Sequence, residues 1–165
     1  MAKKKKKYSG PRSSALRAKS KEGGGGKNPI QVRSQAEFER YLEGPEPVII
    51  DFWAPWCGPC KSFGPTFEKV GKVFEGKVRF LKVNTEDQPA IAQSFSIRSI
   101  PTCLAMVGDE VADSHLGVMS EPALFKMAQR LDDKVKGVGL GDKVKRFFGR
   151  NKGDAEGAED EGSEG

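Results

Sequence analysis

The stretch from Val48 to Lys61 constrains the fold of this chain more than any other. An apolar, β-branched run, Val48-Ile49-Ile50-Asp51-Phe52-Trp53, leads into Trp56-Cys57-Gly58-Pro59-Cys60-Lys61. Beyond it Phe63, Phe67, Val70 and Phe74 recur at helical spacing, a stripe that faces a core. A buried strand therefore hands the chain to a helix, with Cys57 at the junction. The unpaired N–H groups and positive dipole end of a helix start favour thiolate over thiol. A thiolate is the attacking species in disulfide exchange, and Cys60, one turn on, is placed to resolve the mixed disulfide. Pro65 lies inside the helical run and predicts a kink.

Further elements follow from local signals. Ile30-Gln31-Val32 reads as a short strand, and Ser34 with Glu37 three residues on is a capping-box pattern for a helix through Leu42. Gly44-Pro45-Glu46-Pro47 breaks the chain before the buried strand. Val78 to Val83 alternates as a strand does, with Val78, Phe80 and Lys82 on one side, and Pro89 to Phe95 suits a short helix. Thr102–Val107 and Val111–Leu116 read as paired strands around Gly108-Asp109, a Gly-X turn suited to type II′. Ser120 is expected to cap a last helix that buries Leu124, Met127, Ala128 and Leu131. The order β-α-β-α-β-α-β-β-α predicts an α/β domain: one mixed sheet, helices on both faces, and a terminal antiparallel hairpin.

Charge is distributed by region rather than spread over this core. The formal net charge is +5. Residues 1–29 carry ten Lys/Arg against one Glu, and residues 30–133 carry eleven against fifteen Asp/Glu. Residues 134–150 carry six against one, and residues 151–165 one against six. The basic balance thus belongs to the flanks and does not make the core a nucleic-acid binder. Residues 1–29 read as a disordered basic arm with a Gly-rich linker, Gly23 to Gly26. Residues 30–134 form the domain. Residues 135–150 read as a basic helical extension with Leu140, Val144, Phe147 and Phe148 on one face, and residues 151–165 as an acidic disordered tail. Three cysteines including one CxxC point to redox or metal chemistry in a reducing compartment. The lysines after Met1 are followed by no apolar segment, and no apolar run reaches membrane-spanning length. A cytoplasmic location is the expectation.

From about Ile30 to Lys134 the chain resembles the thioredoxin family. The resemblance rests on Asp51-Phe52-Trp53-Ala54, Trp56-Cys57-Gly58-Pro59-Cys60-Lys61, Pro65, Lys82-Val83-Asn84, Ile97-Arg98-Ser99-Ile100-Pro101-Thr102 and Gly117, in that order. It implies the thioredoxin fold and a thiol–disulfide oxidoreductase that reduces disulfides in client proteins. In that pattern Cys57 is the partly exposed nucleophile and Cys60 the more buried resolving thiol, with Gly58 and Pro59 shaping the loop between them. Asp51 is the buried acid that exchanges a proton with Cys60; burial raises a carboxyl pKa and makes it a usable base. Lys82 is its basic neighbour. Pro101 matches the family's cis-proline opposite the cysteines, and Trp56, Ile100, Gly117 and Val118 resemble the rim on which clients dock. No bound cofactor or metal is implied: NADPH and FAD belong to a partner, a thioredoxin reductase, and the chain acts as a monomer. Cys103 departs from the pattern, standing where an aliphatic residue is usual, and Gly108-Asp109 replaces the customary Asn-Gly or Asp-Gly turn.

Other readings of the same residues stay open at this point. Zinc would need four ligands, and only Cys103 and His115 could join the pair. The pair could also be an inert disulfide, or serve an oxidase or isomerase rather than a reductase. Cys103 reads as a small buried hydrophobe or as a site of reversible oxidation or glutathionylation. His115 reads as a surface residue. As a rival of a different class, the domain is a binding or scaffold module whose charged tails contact partners, nucleic acid or an anionic membrane surface.

Overall fold

The computed structural model describes residues 6–10 and 27–137. The acidic stretch, nearly all of the 135–150 extension and most of the basic arm lie outside the described residues. The elements are β1 (Ile30–Gln31), α1 (Gln35–Glu43), β2 (Val48–Trp53), α2 (Gly58–Val73), β3 (Arg79–Asn84), α3 (Pro89–Ser94), β4 (Thr102–Val107), β5 (Glu110–Leu116) and α4 (Glu121–Val135). They build one five-stranded mixed sheet in the order β1-β3-β2-β4-β5. β3 is parallel to β1 and β2; β4 is antiparallel to β2 and β5.

Two apolar layers cover the sheet. Phe38 of α1 and Ile91 of α3 meet Ile50, Phe52, Leu81, Val83 and Leu104 on one face. Phe63 and Phe67 of α2, with Leu124 and Met127 of α4, meet Ile49, Phe80 and Ala105 on the other. Burial on both faces is why β2 reads as a nearly continuous apolar run, since no side of it meets water. β3 shows the same effect: Phe80, with Val78 just before the strand, packs in the layer of α2 and α4, whereas Leu81 and Val83 face the opposite layer. The two central strands bring Asp51 and Lys82 side by side in register.

Several local expectations meet the structure with a physical twist. Ser34 Oγ accepts the Glu37 N–H at 3.2 Å, as a cap should, but Glu37 Oε2 accepts the N–H of Arg33 at 2.8 Å instead of closing the box on Ser34. Ser34→Ala should cost about 1 kcal/mol, read as a lower urea midpoint with unchanged slope. α2 runs unbroken through Pro65, which removes one donor without ending the helix. Ser120 occupies the N-cap position of α4, yet its hydroxyl makes no capping bond. Pro122 removes one of the two N–H groups, N2 and N3, that a cap side chain can serve. In the β4–β5 hairpin Gly108 has φ +58° and Asp109 is not in the left-handed region, the pattern of a type II′ turn.

The described part of the basic arm corrects the reading of residues 1–29 as wholly disordered. Lys7 bridges to Glu110 in antiparallel sense, with Tyr8 N–H donating to Asp109 O at 2.9 Å and Val111 N–H to Lys6 O at 3.0 Å. Tyr8 is only 6% exposed and joins the core on the α1/α3 side. Asn28 is buried as well: its amide donates to Gly71 O and Val78 O, each at 2.9 Å, and accepts from Phe80 N–H at 3.2 Å. The packed unit therefore begins before Ile30 and recruits a segment from farther upstream.

Candidate active site

β2 ends at Trp53, and four residues later Cys57 caps α2. Cys57 has extended backbone, φ −82° and ψ 108°, and its Sγ accepts the Cys60 N–H at 3.2 Å. The sulfur thus takes up one of the orphan donors of a 16-residue helix, the environment in which negative charge on sulfur is favoured. Cys57 and Cys60 are joined as a disulfide with their Cα atoms 5.3 Å apart. Residue exposure does not separate them as the resemblance suggested: Cys57 is 4% exposed and Cys60 3%. Position separates them, because Cys57 stands at the cap and Cys60 within the first turn.

Opposite the pair, Ile100–Pro101 is a cis peptide, and Ile100 O lies 3.9 Å from Cys57 Sγ. Ile100 also packs against Ala54, Cys57 and Cys60. Pro101 O accepts the N–H of Gly117 at 2.8 Å, which ties the next rim residue to this loop. Gly117 has φ +88°, a conformation that a side chain would strain. Around this centre the surface is apolar and open: Trp56 is 68% exposed, Leu116 71% and Val118 49%. Trp56 is held by a 2.7 Å bond from its indole N–H to Glu86. Gly58 and Pro59 form the exposed first positions of α2.

Asp51 lies in the central strand, fully buried, and neither carboxylate oxygen has a hydrogen-bond partner among the described residues. Burial pushes its pKa from 3.8 up to about 7, and the charge of Lys82 opposes that rise. Lys82 forms no bond to the carboxylate; its ammonium sits over the Trp53 ring, 5.0 Å from the centroid. The Trp53 indole N–H is likewise buried without a partner. Cys103, across from Asp51 on β4, is a free, fully buried thiol whose pKa is pushed up by burial and then by Asp51. That environment disfavours thiolate and fits a small core residue rather than a reactive one. His115 is half-buried on β5, a position between surface and core. Among the described residues no three or more His, Cys, Asp or Glu side chains gather as a metal would require.

Three contributors to the site carry little signal in the sequence. Leu116 ends a strand, and an apolar residue on the outward side of an edge strand is the one hint of its exposure. Glu86 and Trp53 act through contacts made by distant elements, for which no local pattern exists.

Comparison with known proteins fits this geometry. The family model described as Thioredoxin matches residues 29–130. Thioredoxin 1 of Nostoc sp. is 35% identical over 100 residues, covering 61% of this chain and 94% of the relative. A chloroplastic thioredoxin M4 of Arabidopsis thaliana is 40% identical over 98 residues, covering 59% of this chain and 51% of its own length. The crystal structure of Malassezia sympodialis thioredoxin superposes with a TM-score of 0.57 at 36% identity, covering 62% of this chain and 90% of that one. The chain thus spans nearly all of the cyanobacterial relative and about half of the plant one.

Proposed function

This chain belongs to the thioredoxin family, and from that premise we propose how its residues divide the work. It is a thioredoxin-type thiol–disulfide oxidoreductase, a disulfide reductase with its redox pair at Cys57 and Cys60. Family membership implies disulfide-bearing clients and a reductase as electron donor. In our reading the clients are oxidised proteins of the cytoplasm, the donor is a thioredoxin reductase, and the chain acts as a monomer.

The Cys57 thiolate attacks one sulfur of a client disulfide; the other client sulfur leaves as thiolate and takes a proton from solvent. Cys60 then gives its proton to Asp51 and attacks Cys57 Sγ. The Cys57–Cys60 disulfide forms, and the bond from Cys57 to the client breaks. The second client thiolate departs and is protonated, so the client has gained the two electrons that the pair has lost. The reductase returns two electrons to the pair. Lys82 favours the ionised form of Asp51 from a distance, while Trp56, Leu116 and Val118 receive apolar client surface and the backbone of Ile100 meets a client strand.

The observation that carries this reading is the pair's position: at the cap of α2, 3.9 Å from the Ile100 carbonyl, inside an exposed apolar rim. The test is reduction of insulin disulfides by the full chain with NADPH and a heterologous thioredoxin reductase. Catalytic turnover is expected. Absence of turnover with correctly folded protein overturns the reading, and a partner-binding function that survives Cys57→Ser would favour a scaffold.

A further inference from the structure

The loop that presents Ile100 starts at Phe95, the C-cap residue of α3. Ser96 follows in the left-handed region at φ +54°, uncommon for a residue other than glycine, and Ile97 N–H donates to Ala92 O at 3.0 Å. At its far end Thr102 Oγ1 donates to Ser99 O at 2.6 Å. Beside the loop lies an open groove of about 830 Å³, bounded by Lys6, Arg98 and β5, so among the described residues no packed element backs the loop on that flank. Ile97 and Ile100 lean on the core only partly buried, so the fully packed anchor of the loop is the Phe95 ring at its start.

Three aromatic rings hold Phe95. Phe38 meets it edge-on at 5.9 Å, Phe52 tilted at 5.8 Å, and Tyr8 stacked at 5.3 Å with the planes 27° apart. Phe38 and Phe52 lie within residues 29–130, whereas Tyr8 comes from the upstream arm. Tyr8 is itself fixed three ways. Its N–H pairs with Asp109 O, its hydroxyl donates to Glu39 at 3.2 Å, and it accepts from Gln35 at 3.3 Å.

We propose that Tyr8 is a positioning residue for client reduction: stacked on Phe95, it holds the 96–101 loop so that the Ile100 backbone meets a client strand beside Cys57. This rests on the docking role given to Ile100 above. The hydroxyl bonds orient the ring, and the ring does the holding. Loss of the ring should weaken docking of a folded client while leaving the sulfur chemistry intact, because Cys57, Cys60 and Asp51 are set by α2 and β2.

The experiment compares the full chain with Tyr8→Phe, Tyr8→Leu and Tyr8→Ala, assayed well below each melting temperature. The substrates are insulin, which must dock, and 5,5′-dithiobis(2-nitrobenzoate), a small disulfide that need not. Tyr8→Ala and Tyr8→Leu should raise KM for insulin roughly three- to tenfold, with kcat and the small-disulfide rate unchanged. Tyr8→Phe should stay within about twofold of wild type, since it keeps the stack. A lower melting temperature with unchanged insulin KM in the leucine variant would reduce Tyr8 to a structural residue and overturn the proposal. Equal losses in the phenylalanine and leucine variants would overturn it too. If alanine prevents folding, the leucine and phenylalanine variants decide alone. Failure of the oxidoreductase reading itself would show separately, as insulin reduction that survives Cys57→Ser.

Discussion

Asp51→Ala should make the oxidised protein more stable at pH 8 while slowing it as a catalyst. The carboxyl is fully buried with no donor to either oxygen, and its folded pKa, about 7, stands well above the ordinary 3.8. A raised carboxyl pKa means that the folded state holds its proton more tightly than the unfolded chain. Between the two values the unfolded state has released the proton and the folded state has not, so stability falls as pH rises through that window. Below about pH 3.8 this penalty is absent; above about pH 7 it is complete, at roughly 4 kcal/mol. Alanine removes the penalty and leaves a small cavity, so a net gain of roughly 2–3 kcal/mol is expected at pH 8. Urea unfolding of oxidised wild type and variant from pH 4 to 8 measures it. The wild-type midpoint should decline with pH relative to the variant, and parallel curves would show that Asp51 ionises normally. In the catalytic assay the variant should lose about 100-fold in the step that releases the client, together with the wild-type rise in rate through pH 7.

Cys57→Ser and Cys60→Ser should fail in different ways. Without Cys57 there is no attacking sulfur at the helix cap, and insulin reduction should fall by roughly a thousandfold or more, with no covalent adduct. Without Cys60 the attack still occurs but nothing resolves it. The chain should then accumulate as a mixed disulfide with its client, seen as a thiol-reversible band on a non-reducing gel and as the summed mass. The asymmetry comes from position: Cys57 Sγ sits where it accepts the Cys60 N–H at the start of α2, whereas Cys60 lies inside the turn. Trapping by Cys57→Ser instead of Cys60→Ser would reverse the assigned roles. Trapping by neither would remove the pair from client chemistry.

Residues whose roles depend on near neighbours in the chain were legible before the fold was known. The strand-to-helix junction announces itself through β-branched residues followed by a helical stripe, and Asp51 stands out as a carboxylate inside an apolar run. The same alternation puts Val78, Phe80 and Lys82 on one side of the segment from Val78 to Val83. It could not say where the Lys82 ammonium goes, because that depends on Trp53 in the adjacent strand. Asn28 stood in a stretch read as linker, yet its amide joins α2 to β3 through three hydrogen bonds, each to an atom distant in sequence. Tyr8 was hidden for a related reason. Five lysines before it suggest solvation, and nothing local reveals the aromatic socket formed by α1 and α3.

The pairing of Lys7 with Glu110 also bears on whether one molecule can add its sheet to another's. A sheet of five strands has two borders, and unpaired border groups invite strands from other molecules. Here β1 is only two residues long and offers little to copy. β5 is seven residues long and carries the exposed Leu116, so it is the border at greater risk. Lys6 takes up the Val111 N–H near its start and Tyr8 the Asp109 carbonyl just before it, and the irregular register at Ala105/Met106 disturbs the ladder just inside it. A shortened chain that starts at the family domain should keep the redox centre but bare the Asp109 carbonyl and the Val111 N–H, and is expected to self-associate more readily than the full chain.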